Sequence, residues 1–226
     1  MMKSEEDELR ILRSRRKTGQ ALGSRERSLQ RLAVRAMAGG RAPTVETLSG
    51  EVGLPVDAVR EALASLEACD CVVMKGDQVR VAYPFTTEPV PHEVVSSRGT
   101  ARANCAVDAL GAGAMLGEDV EIRSTCSYCG ASIRLRGKES FRATTIRPVV
   151  FVPSSDWMQG HASDCLCPSI SFYCNEDHGR GHAGTLAAGG RFLSLKEATA
   201  LGISAFGDLL SPTSVRSGER RAVTLE

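Results

Sequence analysis

Two short runs hold the residue types that can break bonds: Asn104-Cys105-Ala106-Val107-Asp108 and, far along the chain, Asp164-Cys165-Leu166-Cys167-Pro168. The stretch from Ala103 to Leu116 is rich in small residues and reads as a helix. Positions i and i+3 of a helix share a face, so the Cys105 thiol and the Asp108 carboxyl can serve one pocket. If Cys167 joins them, two thiolates converge on a point that suits a soft, two-coordinate cation. The thiolates then push electron density onto the metal, and the acid beside it can protonate a departing carbanion. Those are the needs of metal–carbon bond cleavage, with the two sulfurs expected ~4 to 5 Å apart. The same residues also have a plainer description. A lone cysteine on a small-residue helix is ordinarily a buried, inert thiol, and an aspartate one turn away is ordinarily exposed or capping.

The remaining cysteines sharpen the picture. There are eight: Cys69 and Cys71 form a CxC, Cys126 and Cys129 a CxxC, Cys165 and Cys167 a second CxC, and Cys105 and Cys174 stand alone. The chain opens MMKSEEDELRILRSRRK, charged throughout and without the apolar core of a signal peptide, and no stretch approaches the ~20 apolar residues of a membrane span. A cytoplasmic location is therefore expected, where thiols stay reduced and serve metals or catalysis more often than disulfides. Cys126-Ser-Tyr-Cys129-Gly has the form of a zinc knuckle, half of a tetrahedral site. Cys165 and Cys174, or His178 and His182, are available to complete a structural zinc site. Free buried thiols and a mercury-handling relay are the other readings of these residues. Cys69 and Cys71 suit a packing role. A formal net charge of +1 gives no global attraction to nucleic acid or membrane.

The elements that must position these residues are legible in outline. Residues 1–25 form a polar, Arg-rich extension, and residues 26–85 read as a winged helix-turn-helix-like module. Leu29, Leu32, Ala33 and Ala36 mark one helix that ends at Gly39-Gly40. Thr44 caps a second helix that closes at Gly53, and Pro55 opens a third with Val56, Val59, Leu63 and Leu66 on one face. Val72–Lys75 and Val79–Val81 flank Gly76-Asp77 as a hairpin. A proline-bearing linker covers 86–100. The core, 101–212, has strand-like runs at Val120–Ser124, Ser132–Arg136, Thr145–Val152 and Ser169–Tyr173 and a last helix from Leu195 to Leu210; 213–226 is a tail. Strands grouped between helices predict an α+β fold with a mixed, largely antiparallel sheet and flanking helices.

A winged helix beside paired cysteines is also the anatomy of a metal-responsive transcription regulator. The helix that would meet DNA reads PVDAVREALASLEA, with Arg60 as its one basic residue against Asp57, Glu61 and Glu67. Phosphates would repel such a helix, so nucleic acid is not an expected partner.

Several of these runs carry a family resemblance. NCAVDAL resembles the Cys-Ala-Leu-Asp-Thr-Leu element of organomercurial (alkylmercury) lyases. RSTC at 123–126 looks like that family's strand ending in a structural cysteine, and Cys167-Pro168-Ser169-Ile170-Ser171-Phe172-Tyr173 is similar to its second-cysteine segment. FLSLKEATALGISAFGDLL looks like its C-terminal helix, and the resemblance runs from about residue 26 to 210. It implies that Cys105 and Cys167 are the mercury-binding thiolates and Asp108 the proton donor. The implied reaction is protonolysis of R–Hg(II) to the hydrocarbon R–H, with Hg(II) held as bound product. No cofactor is required. Low-molecular-weight thiols or a mercuric reductase would accept the ion. Two alternatives stand beside this: a thiolate metal-binding relative without lyase activity, and the regulator above. The chain departs from the family in having Asn104 where a tryptophan precedes the first active cysteine. It also has NEDHGRGHAGT where another tryptophan stands, and added cysteines at 129, 165 and 174.

Overall fold

The computed structural model describes residues 22–143, 146–153, 160–183 and 189–211. Most of the Arg-rich extension, the whole C-terminal tail and Thr145 of the third expected strand lie outside the described residues.

The chain begins with three helices, α1 (Ser24–Ala38), α2 (Val45–Val52) and α3 (Val56–Ala68). Their limits follow from local chemistry. The Thr44 side chain accepts the Thr47 N–H at 3.2 Å and starts α2, and Gly53 ends it in the left-handed conformation at φ 67°. Pro55 precedes α3, where a missing N–H costs nothing. The inward faces meet in a core of Leu29, Leu48, Leu63 and Leu66. A hairpin, β1 (Val72–Lys75) and β2 (Gln78–Ala82), follows, turning at Gly76 with φ 60°.

The sheet does not stop at the hairpin. The proline-bearing stretch carries β3 (Phe85–Thr86) and β4 (Glu93–Ser96), and β5 (Gly99–Ala103) comes next. β3 pairs with β2 on one side and β5 on the other, Phe85 opposite Ala103. With β6 (Val120–Thr125), β7 (Ser132–Gly137) and β8 (Phe141–Ala143) the order is β1-β2-β3-β5-β4-β6-β7-β8. Every registered pairing among the described residues is antiparallel. A second sheet, β10-β9-β11, joins β9 (Val149–Pro153), β10 (Ser171–Tyr173) and β11 (Gly190–Ser194).

Four helices complete the described fold: α4 (Ala106–Leu116), α5 (Ala162–Cys165), α6 (Glu176–Ala183) and α7 (Leu195–Phe206). α4 starts at Ala106, because Gly99–Ala103 is drawn into the sheet and Cys105 is extended at φ −151°. α4 is buried along nearly its whole length, and α7 packs across it at a point of glycine-on-glycine contact. A Cβ on Gly111 would lie 2.6 Å from the Gly202 carbonyl oxygen, and one on Gly202 would lie 2.6 Å from that of Val107. Only glycine permits the two backbones to approach so closely. No helix among the described residues is long and apolar enough to cross a membrane.

Candidate active site

Cys105 is placed by the strand before it. β5 ends at Ala103, whose N–H donates to the His92 carbonyl at 2.8 Å, and Asn104 then bonds twice to one acceptor. Its backbone N–H reaches the Pro84 carbonyl at 3.1 Å and its side-chain amide reaches the same oxygen at 3.2 Å. The polar side chain at 104 is thus spent on the backbone that leads into β3. Cys105 stands one residue further on as the N-cap of α4 rather than within it, and its sulfur accepts the Asp108 N–H at 3.4 Å. This cap turns the Asp108 carboxyl back toward the thiol.

Cys167 opens a short 3-10 turn, Cys167–Ser169, that follows α5. The Ile170 carbonyl accepts the Ala106 N–H at 3.1 Å, which ties this turn to the first residue of α4. The Cys167 thiol points at Asp108 Oδ2, 3.8 Å away. The two sulfurs and a carboxylate oxygen all lie within 4.8 Å of one another. Cys105, Asp108 and Cys167 keep 1%, 3% and 4% of their surface. Burial pushes the Cys105 thiol up; a hydrogen bond with Cys167 opposes this, and the Asp108 charge adds to it. The Cys105 thiol therefore keeps its proton until a soft cation displaces it.

The segment carrying Cys167 is clamped by the N-terminal part of the chain. Arg80 of β2 forms a two-pronged bond with Asp164, at 2.8 and 2.9 Å. Asp70 receives the His161 ring nitrogen at 3.1 Å and the Ala162 N–H at 3.2 Å, while the Tyr83 hydroxyl takes the Ser163 N–H at 2.8 Å. These partners stand at least 80 residues apart in sequence, and no local pattern announces them.

A second cluster gathers Cys126, Cys129, Cys174 and His178, again with ligand atoms within 4.8 Å. Cys165 does not belong to it: its thiol donates to the His161 carbonyl at 3.1 Å, on the other segment. His182 shares a hydrogen bond with the Tyr173 hydroxyl at 2.9 Å instead. Burial opposes ionisation of Cys126, but N–H groups from Cys129, Cys174 and Tyr128 outweigh it and bring that thiol down; burial and the adjoining sulfurs drive Cys174 up. Cys71 donates to the Cys69 carbonyl at 3.7 Å, within the core.

Residues 85–207, which include both clusters, match the family described as MerB: Alkylmercury lyase. An alkylmercury lyase of Bacillus cereus is 30% identical over 174 residues, 74% of this chain and 75% of that protein. The chain belongs to the alkylmercury lyase family. The alkylmercury lyase of Staphylococcus epidermidis is 31% identical over 144 residues, 62% of this chain; the match spans 64% of that relative's length. The fold agrees with a crystal structure described as the mercury-bound form of MerB2, with TM-score 0.74 and 19% identity, covering 90% of this chain and 99% of that one. This alkylmercury lyase family member thus shares its fold, a large antiparallel sheet with flanking helices, with that structure.

Proposed function

We propose that the protein cleaves carbon–mercury bonds by protonolysis, with Cys105, Cys167 and Asp108 as the reacting groups. One observation carries this reading: two thiols and a carboxyl lie within 4.8 Å of one another, buried, in the segment that matches the family.

The sequence of bonds follows from that geometry. The Cys105 or Cys167 sulfur attacks R–Hg⁺ and loses its proton. The second sulfur then adds as a third ligand, and the two sulfurs are left as a two-coordinate pair on mercury once the carbon departs. Asp108 receives a thiol proton across the 3.8 Å contact with Cys167 and delivers it to the carbon as the Hg–C pair departs. The balance is R–Hg⁺ plus two thiols giving R–H, a neutral mercury dithiolate and one released proton. The Hg(II) product leaves by exchange onto low-molecular-weight thiols or a mercuric reductase in the cytoplasm. No cofactor takes part.

The three helices and hairpin serve as a winged helix-turn-helix-like packing module. Arg60, the basic residue of its third helix, is engaged bidentately by Asp77, and Arg80 on the wing is engaged by Asp164. Cations committed in this way are withdrawn from phosphate binding, which weighs against the regulator reading.

The deciding experiment incubates the purified chain with a simple organomercurial and excess thiol and measures hydrocarbon release. Release from the native chain, and its loss in Cys105→Ser and Cys167→Ser, is the expected result. Stoichiometric mercury binding without hydrocarbon would establish a metal-binding relative in place of an enzyme.

A further inference from the structure

The second cysteine cluster is built on a different plan from the first. Cys126 and Cys129 flank the turn between β6 and β7, where the Gly130 N–H donates to the Cys126 carbonyl at 2.8 Å and Gly130 adopts φ 73°. Cys174 follows β10, and His178 lies in the first turn of α6, whose start is fixed by Asn175 accepting the His178 N–H at 2.9 Å. A knuckle and a helix N-terminus thus present two ligands each, toward one point. The Cys174 N–H donates to the Cys126 sulfur at 3.4 Å, orienting that thiolate toward the group. The Tyr128 ring lies over the His178 imidazole with centroids 5.2 Å apart, which sets its plane.

The spacing selects the occupant. A tetrahedral zinc with Zn–S near ~2.3 Å and Zn–N near ~2.0 to 2.1 Å has S···S edges of about 3.8 Å and S···N edges of about 3.6 Å. The Cys129 and Cys174 sulfurs are 3.8 Å apart, and the Cys126 sulfur is 3.6 Å from His178 Nδ1. Linear dithiolate coordination of mercury would instead separate two sulfurs by about 4.7 Å. We infer that Cys126, Cys129, Cys174 and His178 form a closed, structural zinc site, independent of the reaction centre.

Its role follows from what it joins. The knuckle belongs to the β6–β7 end of the large sheet, while Cys174 and His178 belong to the small sheet and α6; the Ser127 N–H also reaches across to the Phe172 carbonyl at 3.0 Å. Zinc there would hold β10 against the large sheet a few residues beyond Cys167, and with it the second reactive thiol.

The test uses the full chain purified without chelators. Elemental analysis should find about one zinc per chain, and the same amount in Cys105→Ser/Cys167→Ser. Cys126→Ser/Cys129→Ser should lose it. Cobalt(II) exchanged into the native chain should give the intense visible bands of a tetrahedral thiolate site. His178→Cys should keep the metal and move those bands to lower energy, and this variant decides the matter if the double serine variant does not fold. Absence of zinc from the native chain, zinc retained without Cys126 and Cys129, zinc lost with the reaction-centre thiols, or a cobalt spectrum unmoved by His178→Cys would each overturn the assignment.

Discussion

In the proposed reaction Asp108 and the two cysteines beside it divide the labour in a way that single substitutions can separate. Asp108→Asn keeps the shape and both sulfurs but removes the proton donor. Hydrocarbon release should fall by about 10²- to 10⁴-fold while mercury still binds at one ion per chain. Unchanged release would transfer the proton delivery to water or another acid. His92 makes a second prediction at this scale. It is buried against Phe172, bonded to Ser124 Oγ at 2.8 Å, and burial brings its pKa down to about 4. In the unfolded chain the imidazole titrates near ~6.5, so between those two values the unfolded state holds the extra proton. Stability is thus complete above about pH 6.5 and declines as the pH falls, by about 2 kcal/mol at pH ~5 from this residue alone. Urea denaturation at neutral and mildly acidic pH should show that loss in the native chain and a smaller one in His92→Gln; parallel losses would clear His92 of the effect.

At the scale of elements, the reaction centre depends on how α4 is held from both ends. Against its middle, α7 approaches through Gly111 and Gly202 with no room for a methyl group. Gly202→Ala gains up to ~1 kcal/mol of helix propensity, yet the clash is with backbone carbonyl and amide that cannot rotate aside. A net destabilisation of about 1–2 kcal/mol is expected, seen as a lower thermal midpoint with reduced turnover. A midpoint equal to the native one would mean that the helices separate at no cost. The Arg80–Asp164 bond acts on the other cysteine. Arg80→Gln should cost at most about 1 kcal/mol of stability, since Asp164 is half exposed, but should slow turnover more than that loss explains. Activity falling only in step with the folded fraction would make the bond a surface ornament.

The element boundaries show what could be read in advance. Thr44, Gly53, Pro55 and Gly76 announced the ends of the first helices and the hairpin, because each acts on its own neighbours. Ser194-Leu-Lys-Glu197 is a complete capping box and marks the start of α7 equally plainly. β3, β4 and β5 were not legible. They are short, the first two set among Pro84, Pro89 and Pro91, and all three are stabilised by partners on both sides, so their pairing lives in the sheet and not in their residues. For the same reason Cys105 was read inside a helix whose first residue is Ala106. Spacing and resemblance nonetheless point to Cys105, Asp108 and Cys167, which the cap at Cys105 and the Ala106–Ile170 bond help bring together. Cys165 was indistinguishable from Cys174 as a knuckle partner by sequence, since the difference lies in which segment each thiol faces.

For the whole molecule, charge is nearly balanced, with 28 Lys and Arg against 27 Asp and Glu, and Arg60 and Arg80 of the N-terminal part are committed internally. Binding to duplex DNA should accordingly stay weak, with Kd no tighter than the ~10⁻⁴–10⁻⁶ M of non-specific contact. Nanomolar, sequence-selective binding in a mobility-shift titration would restore the regulator reading. The near-complete burial of Cys105, Asp108 and Cys167 then governs how the molecule meets its surroundings. A reagent reaches these thiols only during brief excursions of the chain, so every encounter rate is the intrinsic one multiplied by the open fraction. Peroxide, alkylating agents and stray metal ions are slowed by the same factor as the organomercurial, and a soft electrophile that binds almost irreversibly tolerates the delay best. Low urea, by raising the open fraction, should quicken mercurial capture and iodoacetamide labelling of Cys105 in parallel, well before the chain unfolds.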